Sequence, residues 1–231
     1  MIEREEQFYR RWRWPFDMAV RFLFRPVVLN KGRIPSDGAL IVAPNHLDTL
    51  DPMCVMTLTQ RPIHWAALKR FFDAEDSIFK NNKNHLLCAV TRCLFIRGGF
   101  IPIDRGGDNR SSCERIHNYL KTGRAFGVFP EGTTNKQPAL VDVQQPHLGF
   151  AHFCAEEHAT IMPVTITWVP KKKGVRNRVI LNCGEPYTID EVVFCEDTEK
   201  SRWMSAIREG MAENQEFIMR NQERHQNEEI C

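Results

Sequence analysis

The stretch Ala39-Leu40-Ile41-Val42-Ala43-Pro44-Asn45-His46-Leu47-Asp48-Thr49-Leu50-Asp51-Pro52 passes from a β-rich apolar run into a polar turn and then into a helix start. Ala39–Ala43 reads as a strand and Pro52–Leu58 as a helix. Asp51, just before Pro52, has the residue type of an N-cap with proline at the first helical position. The pattern of strand then polar group recurs twice. Asp104 and Arg105 follow Phe100–Ile103, and Glu131, Gly132, Thr133 and Thr134 follow Ala125–Phe129. Further strands are expected at Ile63–Ala66, Thr160–Trp168 and Arg178–Cys183. Further helices are expected at Phe71–Phe79, His85–Phe95, Ser112–Lys121, Pro146–Glu157 and Thr198–Gln222. Ser111 with Glu114 resembles a capping box, and Gly123 stands where that helix should stop. This alternation predicts an α/β fold around a largely parallel sheet flanked by helices. In open sheets of this kind ligands bind outside the carboxyl ends of the strands, so a histidine, an arginine and a glycine-bearing turn are expected at one edge.

The chain has 231 residues, 42% of them apolar or aromatic, enough for one sizeable core and too few for two full domains. We therefore read residues 31–231 as one domain and residues 1–30 as a separate N-terminal segment. A formal net charge of +2 speaks against a nucleic-acid partner. The eight cysteines form no CxxC pair and the first residues are charged rather than apolar, so a reduced setting is expected, with most cysteines acting as small buried hydrophobes. No internal repeat stands out.

The N-terminal segment interleaves Arg10, Arg11, Trp12, Arg13 and Trp14. Phe16, Ala19, Val20, Leu23, Phe24 and Val27 then recur at helical spacing, with Asp17, Arg21 and Arg25 as a polar stripe opposite. Pro26 should end the helix near Arg25. A bilayer span needs about 20 apolar residues, and each charge near its middle costs roughly 2.5–3.5 kcal/mol, so spanning is disfavoured. An interfacial helix, apolar face in the acyl boundary and Arg and Trp among headgroups, is the expectation. The competing one is a helix packed on its own domain. The C-terminal stretch from Glu196 reads as a charged, solvated surface helix.

A histidine can take a proton from an alcohol, and a nearby carboxylate can fix its tautomer. His46 has Asp51 in that role, with Asp48 as a second candidate. Spacing alone leaves open whether Asp51 serves as base partner or helix cap. No GxSxG, P-loop or GxGxxG motif occurs, and His64, His85, His117, His147, His152 and His158 show no metal-ligand spacing, so no metal site is expected. A direct transfer promoted by a base is the chemistry that remains.

Asn45-His46-Leu47-Asp48-Thr49-Leu50-Asp51 resembles the HX4D box (NHxxxxD) of the glycerolipid acyltransferases, the group that includes 1-acylglycerol-3-phosphate acyltransferase. Three further boxes follow in that family's order. Gly99-Phe100-Ile101-Pro102-Ile103-Asp104-Arg105 is similar to the second, Phe129-Pro130-Glu131-Gly132-Thr133-Thr134 to the FPEGT box, and Ile161-Met162-Pro163-Val164 to the fourth. Lys69 fits the basic position of the AKxEL segment, and Gly184-Glu185-Pro186 a late element. The resemblance covers roughly residues 30–190.

That resemblance implies an acyltransferase domain over residues 31–231, moving a fatty acyl group from acyl-CoA or acyl-carrier protein to the sn-2 hydroxyl of 1-acylglycerol-3-phosphate (lysophosphatidic acid) and giving phosphatidic acid. It makes His46 the general base and Asp51 its partner. Asn45, Lys69, Arg105, Glu131, Gly132, Thr133, Thr134 and Pro163 become substrate-binding, with Arg105 on the acceptor phosphate. Glu131 should accept hydrogen bonds from a glycerol hydroxyl, Lys69 or backbone N–H groups, since a carboxylate repels a phosphate. No cofactor beyond the acyl donor is implied. The partner is a membrane lipid surface, and the place is the cytoplasmic face of the membrane, peripheral or monotopic. Thr134 departs from the arginine or serine common there and weakens a second cationic clamp. Pro102 cannot donate a ladder bond and marks an edge or bulged strand. Other acceptors (glycerol-3-phosphate, a lysophospholipid, a lyso-aminolipid), a thioester hydrolase and a non-catalytic lipid-binding protein are the alternatives.

Overall fold

The run that leads into His46 is a central strand. The computed structural model describes residues 2–73, 85–135, 143–147, 149–169, 178–189 and 194–228. Among the described residues eight strands form one sheet: β1 (Val27–Leu29), β2 (Leu40–Pro44), β3 (Ile63–Leu68), β4 (Ile101–Ile103), β5 (Ala125–Gly127), β6 (Thr160–Val169), β7 (Arg178–Cys183) and β8 (Tyr187–Thr188). Their order is β1-β7-β6-β2-β5-β3-β4, with β8 also pairing with β6. β2 lies between β5 and β6, parallel to both. β3 is parallel to β4 and β5, and β1 to β7, while β6 runs antiparallel to β7 and β8. The carboxyl ends of β2, β3, β4 and β5 therefore share one edge. β4 is the last strand on its side, which is where Pro102 can sit without a missing ladder bond.

The helices among the described residues are α1 (Ile2–Phe24), α2 (Asp51–Val55), α3 (His85–Arg97), α4 (Arg110–Lys121), α5 (Gly149–Glu156) and α6 (Glu196–Glu228). Alternate residues of β2 feed two cores. Ile41 and Ala43 join Ile116, Tyr119, Ala151, Cys154, Trp203 and Ile207 from α4, α5 and α6. Leu40 and Val42 join Val20, Phe24, Cys54 and Val55 from α1 and α2. A sheet covered on both faces explains why Leu40-Ile41-Val42-Ala43 is apolar without alternation. None of the described cysteines is in a disulfide, and Cys54, Cys154 and Cys183 are buried.

Several local expectations need correction. α4 begins at Arg110 after Asn109 and has no side-chain cap, so Ser111 and Glu114 do not form the capping box. Its end does follow expectation: Gly123 has φ 68°, with Gly123 N–H bonded to Leu120 O and Arg124 N–H to Tyr119 O, the paired bonds of a Schellman stop. α2 starts at Asp51 itself, with no side-chain cap bond from the preceding Leu50. Asp51 is inside the helix, and its carboxylate is committed elsewhere. Of the helix expected at Phe71–Phe79 only residues 71–73 are described, Phe71 closing a 3-10 turn at Lys69–Phe71; residues 74–79 lie outside the described residues.

The terminal helices depart furthest. α6 is not a solvated surface helix. Trp203, Ile207 and Asn214 are fully buried, Trp203 Nε1 donates to Ala43 O at 2.9 Å, and Asn214 Nδ2 donates to Thr167 Oγ1 at 2.9 Å. One packed stripe was hidden among many charges. In α1, Val20 and Phe24, part of the face expected to meet lipid, are instead buried against the domain, as are Glu5, Tyr9 and Arg13. Glu5 pairs with Arg115 (2.6 Å), Glu6 with Arg124 (2.8 Å), and Arg13 Nη1 donates to Met56 O (2.7 Å). The exposed large apolar residues of α1 are Trp12, Trp14, Met18, Phe22 and Leu23, of which Trp14, Met18 and Phe22 share one helical face at i, i+4, i+8. No described helix is long and apolar enough to cross a membrane.

Candidate active site

At the carboxyl end of β2 the chain turns through Asn45 and His46. Asn45 is fully buried, its Nδ2 donating to Ile166 O (3.2 Å) and its Oδ1 accepting from Ile166 N–H (2.7 Å). It anchors the turn to β6 and offers no polar atom to a ligand, so the substrate-binding assignment for Asn45 gives way to an anchoring one. His46 Nδ1 lies 3.0 Å from Asp51 Oδ2. The same oxygen accepts the N–H groups of Leu47 (2.6 Å) and Asp48 (2.7 Å), and Oδ1 accepts the indole N–H of Trp168 (2.8 Å). Asp51 is thus a buried carboxylate with four donors, the arrangement that compensates removal of a charge from water. Asp48, the other candidate, instead uses Oδ1 to accept from Leu50 N–H at 2.9 Å.

The His46 side chain is 17% exposed, against 0% for that of Asp51. With Nδ1 turned to the carboxylate, the ring points its other nitrogen away from the partner, and Nε2 carries no hydrogen bond among the described residues. One face of the ring stacks on Phe129, centroids 4.0 Å apart, and Phe129 stacks in turn on Trp65 at 5.0 Å. The imidazole is therefore oriented by a bond and a stack, which removes rotational freedom before any substrate arrives.

The turn after β5 closes the other side. Glu131, 3% exposed, accepts the His46 backbone N–H through Oε1 at 3.0 Å. Burial pushes its carboxyl above the ordinary range, opposed by the N–H groups of His46 and Gln144. Its Oε2 is buried with no hydrogen-bond partner. Of the three partners expected for Glu131, backbone N–H is the one found; Lys69 pairs with Asp104 (Nζ–Oδ2 3.0 Å) on an exposed surface, where such pairs contribute little. Gly132 has φ 66°, a backbone region favouring glycine. Arg105 Nη2 donates to Gly132 O, joining the second polar group to the third. Thr133 is exposed and Thr134 half-buried. Pro163 is buried in β6, paired with Ala43, and its carbonyl accepts Gly184 N–H at 2.9 Å.

His46, Asp51, Arg105, Glu131 and Gly132 are thus linked by direct contacts or chain adjacency, while Lys69 stands off on Asp104. Three contributors escaped the sequence. Trp168 holds Asp51; a tryptophan near the end of a core strand needs an acceptor for its N–H, and that was the available signal. Asn109 brackets the turn at Asp104, with Oδ1 accepting Asp104 N–H and Nδ2 donating to Asp104 O, both at 2.7 Å. Residues 143–147 return to the site, with His147 N–H on Pro130 O at 2.7 Å. The helix expected to start at Pro146 starts at Gly149, which leaves His147 in this loop. No group of described residues has the make-up of a metal site.

A strand-end edge carrying these groups makes this an α/β protein with its candidate site where such sheets bind ligands, and comparison with known proteins gives the class. The family model described as Acyltransferase matches residues 25–167. The chain belongs to the acyltransferase family. Its fold is similar to the crystal structure of the 1-acyl-sn-glycerophosphate (LPA) acyltransferase PlsC from Thermotoga maritima, with a TM-score of 0.56 and 20% identity over 91% of this chain and 78% of that one. No curated protein matches the sequence.

Proposed function

We propose that the protein transfers a fatty acyl group from acyl-CoA or acyl-carrier protein to the sn-2 hydroxyl of 1-acylglycerol-3-phosphate, with His46 as general base. The observation that carries this is the His46–Asp51 pair, Nδ1 held on a buried carboxylate and Nε2 unengaged on a part-exposed ring. With the proton on Nδ1, Nε2 takes the acceptor's hydroxyl proton as its oxygen attacks the thioester carbonyl carbon. The tetrahedral oxyanion collapses, the C–S bond breaks, and the imidazolium returns the proton to the leaving thiolate. The products are the ester and the free thiol, with no acyl-enzyme. A base so placed contributes about 10²–10⁴-fold in rate. Arg105, tied to Gly132 by one N–H, keeps other donors for the acceptor phosphate. The choice of lysophosphatidic acid among acceptors leans on the likeness in fold to an LPA acyltransferase; the four boxes support the reaction type shared by the family.

The acceptor lives in a bilayer, and we place the enzyme on its cytoplasmic face through the outward side of α1. Trp12, Trp14, Met18, Phe22 and Leu23 are exposed beside exposed Arg10, Arg11, Arg21 and Arg25, a pairing suited to anionic headgroups, where each basic residue contributes about 1 kcal/mol. Replacing Trp14, Met18 and Phe22 together by serine is expected to weaken sedimentation with phosphatidylglycerol vesicles and leave the melting temperature nearly unchanged; equal sedimentation removes the docking role. The reaction is tested by incubating the full chain with lysophosphatidic acid and mixed acyl-CoAs and reading products by mass spectrometry. Phosphatidic acid is expected; free fatty acid released at the same rate without the lysolipid would identify a hydrolase instead.

A further inference from the structure

The surface over Gly132 has donors on two sides. A β-carbon placed on that glycine would lie 3.7 Å from Arg105 Nη2, 3.2 Å from His147 Cδ2 and 3.8 Å from His147 Nε2. Glycine leaves this position open, so a guanidinium and an imidazole flank one gap with no side chain between them. We propose that His147 is a second donor to the acceptor's phosphate, which makes it a residue that determines specificity for phosphorylated acceptors. This rests on the reading of Arg105 as the phosphate contact.

The backbone delivers His147 to this place. Its N–H is bonded to Pro130 O at 2.7 Å, and the Gln144 N–H, three residues earlier, lies close enough to the Glu131 carboxyl to favour its charged form. Val143 and the intervening Pro146 are buried. The loop is thus fastened by its backbone to the turn that carries Gly132, while the His147 side chain is exposed and makes no hydrogen bond among the described residues.

The chemistry fits an anion. A phosphate monoester presents three terminal oxygens. A planar guanidinium reaches two of them from one side, and a third needs a donor from another direction. An imidazole N–H supplies one in either charge state. Nearby carboxylates do not occupy the gap: Glu131 is buried with Oε1 accepting the His46 N–H, and Asp104 is paired with Lys69. His147 also answers a question left by Thr134, which cannot act as a cationic clamp.

The test compares the wild-type chain with His147→Ala and His147→Lys, each offered 1-oleoylglycerol-3-phosphate and 1-oleoylglycerol with one acyl-CoA. Hydrogen bonds to charged groups predict that the His147→Ala selectivity, the ratio of kcat/KM for the phosphorylated over the unphosphorylated acceptor, falls about 10-fold, mainly through KM. His147→Lys is expected to restore most of it, which a merely structural role would not do. Unchanged selectivity in His147→Ala, or equal losses on both acceptors, overturns the inference and leaves the proposed function standing. In parallel, glycerol 3-phosphate is titrated into histidine-labelled protein and the imidazole resonances are followed. Displacement of the resonance that is missing from His147→Ala is expected, and no displacement overturns the inference. A wild-type chain that never acylates the phosphorylated acceptor removes the proposed function, and the titration then decides the role of His147 by itself.

Discussion

Two histidines at the sheet, His46 and His64, each stack on an aromatic ring, at 4.0 Å on Phe129 and 4.1 Å on Tyr119. There the likeness ends. His46 has a carboxylate 3.0 Å from Nδ1 and a ring that solvent reaches. His64 is 1% exposed, and neither ring nitrogen completes a hydrogen bond, though the Gly98 and Gly99 carbonyls lie alongside. The nearby carboxylate, Glu5, is spent on Arg115 and the Tyr119 hydroxyl. Burial, with Arg115 and Arg124 adding to it, pushes the His64 imidazole down to about 4, so it stays neutral at physiological pH. The residue type is the same; the partner and the exposure decide whether the ring moves protons or fills space.

That contrast can be broken at several points. The largest effect is expected from Asp51→Asn, which replaces the acceptor on Oδ2 with a group that can leave the His46 proton on the wrong nitrogen. The turnover number should fall on the order of 10²–10⁴-fold, measured as phosphatidic acid formed; activity within a few-fold of wild type would mean that Asp51 serves the turn alone. The second effect is on stability. Unfolded His64 has its ordinary pKa near 6.5, above its folded value of about 4. Below pH ~6.5 the unfolded chain binds a proton that the folded one refuses, so stability falls as pH drops through that window and levels off below about 4. The loss is at most about 3 kcal/mol. Denaturant titrations of wild type and His64→Phe between pH 4 and 7 should show a shallower slope in the variant, and parallel slopes would move the effect to other groups. The smallest is Trp168→Phe, which removes the donor on Asp51 Oδ1 and keeps the ring's apolar bulk. About a 10-fold loss of turnover is expected, the scale of outer partners that orient a functional side chain; a pure stability change without a rate change would sever Trp168 from the site.

How far the sequence could be read follows from the same physics. The strands that carry function were legible because each is an apolar run cut off by a polar turn; Arg178–Cys183 has the bounds expected, and Ala39–Ala43 is displaced by one residue to Leu40–Pro44. Strands β1 and β8, three and two residues long, show no period. Parallel neighbours of β2 followed from the alternation with helices, but the antiparallel β6–β7 pair did not, because its connection falls in residues 170–177, where no turn motif stood out. α1 and α6 misled for different reasons: in α1 the buried side is itself charged, Glu5, Tyr9, Arg13, Val20 and Phe24 mixing ion pairs with apolar contacts on one face, and in α6 the packed residues Trp203, Ile207 and Asn214 are sparse among charges. At the site, spacing put His46 and Asp51 within reach of each other but left the role of Asp51 open, and their pairing came into view only with the fold. Asn45 as an anchor, Trp168 and His147 were not readable, since each acts through a contact between segments far apart in the chain; Asn109 acts within its own turn, where no motif marked it.

His46→Ala assayed for phosphatidic acid formation at saturating lysophosphatidic acid and acyl-CoA, with the melting curve recorded beside it, bears most directly on the central claim that this imidazole deprotonates the lipid hydroxyl. A variant that melts like wild type and loses turnover by about 10²–10⁴-fold is the predicted result. A variant that folds and turns over at the wild-type rate contradicts it.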